Sequence, residues 1–168
     1  CSKEDPTESL DISINYTNGD EHYGVTYQGA TSTDALDGTT LTKNTILPTW
    51  KAFGEAVNLK IRDAADYTKT YDKEWEEYTT SGFVKGKNQI DLMMCDGKKF
   101  PDAANAGKLY SISQALKDGK LPNYKKWLEK NDPSGSMMKS MASTDGQVYY
   151  TPYFDGLNNI ECMFMMNR

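Results

Sequence analysis

The chain has 168 residues, 38% hydrophobic and 26% charged, with 19 basic and 24 acidic side chains for a formal net charge of −5. That length supports a domain with a sizeable core, and no apolar run approaches the roughly 20 residues a membrane-crossing helix needs. The lysines are scattered among acids and make no basic face, which sets nucleic acid aside as a partner.

Residues 1–9 are polar and acidic and read as a flexible tether. Asp11-Ile-Ser-Ile-Asn-Tyr16 alternates apolar and polar, predicting a strand with Ile12, Ile14 and Tyr16 on one face. Asn18-Gly19 marks a turn, and Tyr23 to Gln28 resumes a strand-like pattern, giving a hairpin or one interrupted strand. His22 is the only histidine and has no partner at ligand spacing, so this turn reads as solvated rather than as a metal loop. Gly29 to Asn44 is rich in Thr, Asp and Gly without periodicity, a long surface loop.

Ile46, Trp50, Phe53 and Val57 recur at helical spacing with Pro48 in the first turn, predicting an amphipathic helix that ends near Asn58. Leu59 to Asp63 alternates as a strand. Tyr71, Trp75 and Tyr78 share one face of a helix over Lys69 to Thr80, at the spacing of ordinary core packing. Gln89 to Cys95 is a short apolar strand closed by Asp96-Gly97, and Pro101 to Gly107 reads as a short helix. Asn123 is expected to cap a helix carrying Tyr124, Trp127 and Leu128, broken by Asn131 to Ser136. Met137, Met138 and Met141 lie on one face of a further short helix. Asp145-Gly146 is a turn, Gln147 to Thr151 a strand ended by Pro152, and Ile160 to Met166 a strand buried on both faces.

Strands alternating with helices predict an α/β fold with a mostly parallel sheet flanked by helices. In such sheets ligands bind at the carboxyl ends of the strands. The loops at those ends are Gln28-Gly29, Asp63 to Tyr67, Asp96 to Lys99 and Tyr153 to Asp155, and they offer Gln28, Asp96, Tyr153, Phe154 and Asp155 as candidate ligand-binding residues. Aromatic rings pack on the C–H faces of sugars, and amides and carboxylates match hydroxyl groups. The Gly-x-Ser-x-Gly, Walker and dinucleotide motifs are absent, so the reading is a binding protein without cofactor or metal rather than an enzyme. Cys95 and Cys162 sit in apolar strands without Cys-x-x-Cys spacing and read as buried thiols.

Several segments, in order, are similar to those of extracellular solute-binding proteins of bacterial ABC importers. They are Ile12-Ser-Ile-Asn15, Trp50 to Ile61, Ile90-Asp-Leu-Met-Met94, Gly107-Lys-Leu-Tyr-Ser-Ile112, Leu121 to Leu128 and Asp145 to Tyr153. Cys1-Ser2 with its acidic tether resembles a mature lipoprotein, in which the cysteine carries a diacylglycerol. The closest subgroup looks like the lipid-anchored carbohydrate binders of Gram-positive bacteria. The resemblance implies a monomeric receptor on the extracellular face of the membrane. It further implies a lobe of the periplasmic-binding-protein type II kind, closing as a clamshell on a carbohydrate and docking on permease subunits. Family members are much longer, so residues 10–168 are expected to be the amino-terminal part of the first lobe, with the second lobe outside this chain. The competing readings are a secreted carbohydrate-active enzyme or binding module, and a surface adhesin that binds protein.

Overall fold

The computed structural model describes residues 6–18, 21–33, 38–81, 90–94 and 107–152. The chain divides into two compact units, residues 1–100 and 101–168. The first unit is mixed α/β. Its strands are β1 (Ser9–Ser13), β2 (Tyr16–Asn18), β3 (Glu21–Tyr23), β4 (Ser32–Thr33), β5 (Thr40–Leu41), β6 (Lys60–Asp63) and β7 (Leu92–Met93). Its helices are α1 (Pro48–Val57) and α2 (Tyr71–Thr80).

Three strands form a parallel sheet in the order β6–β1–β7. Leu10 stands opposite Ile61, Asp11 opposite Arg62, and Ile12 opposite Asp63 on one side and Leu92 on the other. The first crossover runs outward from β1 through α1, and the second returns past β1 through α2. Right-handed connections of opposite direction place their helices on opposite faces of the sheet. Gly54 of α1 accordingly meets Ile61, while Glu74 of α2 bonds Ser13.

β1 is thus covered on both faces. Ile12 is fully buried, and so, within a few per cent, are its polar neighbours Asp11, Ser13 and Asn15. The alternating pattern predicted a half-exposed strand over Asp11 to Tyr16; the strand instead starts and ends earlier, and Tyr16 lies on β2, 55% exposed. Asp11 Oδ1 has no aligned hydrogen-bond donor, but Arg62 Nε stands 3.2 Å away across the strand pair. The ion pair is what offsets its burial.

β2 and β3 form an antiparallel hairpin with Tyr16 opposite Tyr23 and Thr17 opposite His22. The expected strand from Tyr23 to Gln28 is not continuous: β3 ends at Tyr23, and Val25 to Tyr27 bond Asn44 to Leu47 instead. Those bonds, Tyr27 N to Thr45 O, Asn44 N to Tyr27 O and Leu47 N to Val25 O, close the base of a long excursion. Within it the expected featureless loop contains the antiparallel pair β4–β5, with Leu41 buried. Two-residue strands carry too little periodicity to be read from sequence.

Helix α1 begins with Pro48 in its first turn and ends at Asn58 in the left-handed conformation. It docks through Gly54; Phe53 and Val57 of the predicted apolar stripe remain 41% and 44% exposed. In α2 the expected core face holds, with Trp75 and Tyr78 buried. Thr70 caps it by accepting from Lys73 N. The strand expected over Gln89 to Cys95 is ordered as strand at Leu92–Met93.

The second unit contains α3 (Ile112–Lys117), α4 (Pro122–Asn131) and α5 (Ser136–Ser140). Ser111 caps α3. Pro122, not Asn123, opens α4: Leu121 is the cap, and Asn123 lies inside the helix, because proline is preorganised for the first helical position. Asp132 ends α4 and accepts from Met137 N and Met138 N of α5 at 3.2 and 3.1 Å. Burial raises its carboxyl, but those N–H donors outweigh this and hold it below the usual range.

Gly146 closes the predicted turn at φ 77°. Gln147 to Thr151 is not a strand. Val148 is buried against α3, accepting from Ile112 N at 2.8 Å and donating to Ser113 Oγ at 3.0 Å. A helix start took the bonds a neighbouring strand would have taken. The segment Ile160 to Met166 and the short helix expected at Pro101 to Gly107, up to residue 106, lie outside the described residues. Among the described residues no helix is long and apolar enough to cross a membrane.

A methyl group on Gly54 would stand 2.8 Å from the Leu59 carbonyl oxygen and 2.9 Å from Ile61 Cγ1. In a free helix Gly→Ala gains about 1 kcal/mol; overpacking costs about 1–3 kcal/mol. Gly54→Ala should therefore lower the denaturation midpoint. A raised midpoint would show that α1 can lift off β6.

Candidate functional site

The strand order places β1 where the crossovers change direction. In open parallel sheets that switch point, at the carboxyl ends, is where ligands bind. Here those ends are the β1–β2 junction, the turn from Asp63 to Thr70, and the residues after β7. Two polar networks fill this edge of the first unit.

The first centres on Glu74, 5% exposed in the opening turns of α2. Its carboxylate accepts from Ser13 Oγ at 2.7 Å, from Asp66 N at 2.7 Å and from Asn15 Nδ2 at 3.1 Å. The helix amino terminus favours negative charge there. Asn15 Nδ2 also faces the carbonyl oxygens of Asp66 at 3.1 Å and Lys69 at 2.6 Å, and its Oδ1 meets His22 Nδ1 at 2.8 Å. Asp66 accepts from the Thr68 hydroxyl and backbone N–H at 2.6 and 3.0 Å, with Lys69 Nζ 3.4 Å away. These donors, Thr68 first, hold its carboxyl below the usual range.

The second network centres on Asp63, at the end of β6. It accepts from Ala65 N at 2.9 Å, from Tyr67 OH at 2.6 Å and from Thr26 Oγ1. Burial, then the hydrogen bond to Asp63, raises the Tyr67 phenol far above its ordinary range, so it stays a donor. Gln28 Nε2 donates to Thr26 Oγ1 at 2.9 Å and to Asn44 Oδ1 at 3.1 Å. That orients the amide and leaves Oε1 as an acceptor unengaged among the described residues. Gly24 is required beside this network, since any side chain there would collide with Tyr67 OH and the Ile14 carbonyl.

The β2–β3 hairpin rises from the end of β1. Tyr16 and Tyr23 pair across it with ring centroids 6.3 Å apart, 55% and 49% exposed. Its other face is tied down through His22, which bonds Asn15 and packs edge-on with Tyr67 at 6.0 Å. This corrects the reading of His22 as a solvated turn residue.

Of the residues predicted from sequence, Gln28 is placed at this edge. Cys1, Asp96, Tyr153, Phe154 and Asp155 lie outside the described residues. The loop from Asp63 to Tyr67 is expected at a strand end but without a ligand-binding role for its residues, and sequence reasoning missed Ser13, Asn15 and Glu74. The polar alternation of β1 carries no local mark of burial, and only a signal from residues some sixty positions away, such as an acid in the first turns of α2, points to it. No family model, curated protein or solved structure matches the chain.

Removing the Glu74 carboxylate strands two donors, Ser13 Oγ and Asp66 N, at about 1–3 kcal/mol for each that stays buried, while Asn15 Nδ2 keeps two carbonyl acceptors. Glu74→Ala should lose about 2 kcal/mol or more in urea unfolding; a loss under about 1 kcal/mol would mean water replaces it.

Asp66 has a depressed folded pKa, so its contribution is present above the unfolded carboxylate value of about 3.9 and is lost as pH falls through the folded one. Asp66→Asn should destabilise at neutral pH, and the two unfolding curves should converge in acid. A difference independent of pH would refute the charge argument.

Proposed function

We propose that this chain contributes the ligand-facing edge of a lipid-anchored receptor that captures a carbohydrate for an ABC importer. The observation that carries this is the β6–β1–β7 parallel order, with polar networks and exposed tyrosines gathered where the crossovers reverse. That order supports a periplasmic-binding-protein type II lobe, in which ligand closes two lobes by favouring the closed population. Tyr16 and Tyr23 offer ring faces for sugar stacking, and the fixed amide of Gln28 offers a directed acceptor. Asp63 and Glu74 are engaged by structural donors, which supports a receptor over a glycoside hydrolase, whose two carboxyl groups must face the substrate. The same reading places a diacylglycerol on Cys1, holds the receptor at the outer membrane face, and gives it permease subunits as partners.

The test is saturation-transfer NMR of the chain against neutral mono- and oligosaccharides, with amino acids and short peptides as the competing class. One sugar series should show transfer. Gln28→Ala should weaken it about fivefold, the worth of a neutral hydrogen bond of about 1 kcal/mol. Transfer to peptides with none to any sugar would overturn the carbohydrate assignment.

A further inference from the structure

The single histidine of the chain stands at the edge just described, and its protonation geometry is fixed by a neighbour. Asn15 is 1% exposed, and its Nδ2 faces three acceptors, the carbonyl oxygens of Asp66 and Lys69 and the Glu74 carboxylate. Turning the amide over would set its oxygen against all three. Asn15 Oδ1 is therefore the atom that meets His22, and as a pure acceptor it requires a proton on His22 Nδ1. When the ring is neutral, its lone pair is then on Nε2, since the bond made by one ring nitrogen sets the state of the other.

His22 is partly exposed, and its Nε2 makes no hydrogen bond among the described residues. Among those residues it is an unengaged acceptor. The edge contact with Tyr67 and the Asn15 bond hold the ring in place, so its direction is preset. Preset acceptors are what discriminate between ligands with and without a hydroxyl at one position.

We propose that His22 is a ligand-contacting residue of this site: Asn15 holds the neutral ring in its Nδ1–H form, and Nε2 accepts the proton of a sugar hydroxyl. This rests on the carbohydrate-receptor reading. Asn15 is a positioning residue, and Glu74 positions it in turn.

Because there is one histidine, the ring nitrogen-15 spectrum of the uniformly labelled chain reports on it alone. Recorded in alkaline buffer, where the ring is neutral, the spectrum should show the protonated-type signal on Nδ1 and the bare-type signal on Nε2. Adding maltotriose, cellotriose or xylotriose, whichever shows saturation transfer, should move the Nε2 signal to a plateau. A deoxy analogue lacking the contacted hydroxyl should not.

His22→Ala should weaken that sugar about fivefold to tenfold with an unchanged circular dichroism spectrum. Asn15→Ala should shift the ring toward the Nε2–H form; if that variant does not fold, the unmodified chain decides alone. An Nε2–H ring overturns the proposal. So does an Nδ1–H ring whose Nε2 signal stays still while a sugar binds. If no sugar binds at all, the receptor reading has failed and this proposal falls with it, whatever the ring shows.

Discussion

One carboxylate holds the working edge of the first unit together. Glu74 reaches from the opening turns of α2 to the end of β1 and to the turn after β6, bonding Ser13, Asn15 and Asp66 N. The end of β1 lies some sixty positions from Glu74, whereas the turn after β6 directly precedes α2. A buried acid of this kind costs free energy to desolvate, and its donors offset the cost only when all are in place. The network is therefore satisfied as a whole or disrupted as a whole. What it gains is a fixed relation between the central strand and the start of the helix, and the rest of the edge is built on that relation. Asn15 is oriented by Glu74, His22 by Asn15, and the hairpin by His22.

The second network extends the same logic outward. Asp63 ends β6 and collects Ala65 N, Tyr67 OH and Thr26 Oγ1, while Gln28 reaches Thr26 from the next layer. Ala65 and Tyr67 belong to the turn that follows Asp63, and Thr26 comes from a stretch 37 positions away. Tyr67 links the two networks by meeting Asp63 through its hydroxyl and His22 through its ring. Polar groups at this edge are thus spent on one another near the sheet. Among the described residues, the rings of Tyr16 and Tyr23 stand exposed at this edge.

Local chemistry made much of the scaffold legible. Pro48 and Asn58 bound α1 because one is preorganised for a helix start and the other tolerates the left-handed region. The spacing of Trp75 and Tyr78 marks the buried face of α2, and Asp145-Gly146 marks its turn by the positive φ of Gly146. The failures share a cause. Ser13 and Asn15 look like solvent-facing residues until a distant acid is brought against them. Gln147 to Thr151 has strand-forming residues, but its partner is a helix start rather than a strand. Phe53 and Val57 follow a core periodicity, yet α1 packs through Gly54. In each case a contact far away in sequence overrode a correct local preference. Gln28 was expected at the end of a strand that instead stops at Tyr23, and nothing local marks the burial of Glu74.

The bonds between Val25–Tyr27 and Asn44–Leu47 form a neck. They tie the base of the excursion to the stretch that follows β3. Loop-closure cost grows slowly with length, so residues past the neck can be added, removed or exchanged with little effect on how β1 and β6 align. The neck also carries Thr26 and, next to it, Gln28. Variation in the excursion is therefore felt first at Thr26 and Gln28, while the pairing of β1 with β6 stays as it is.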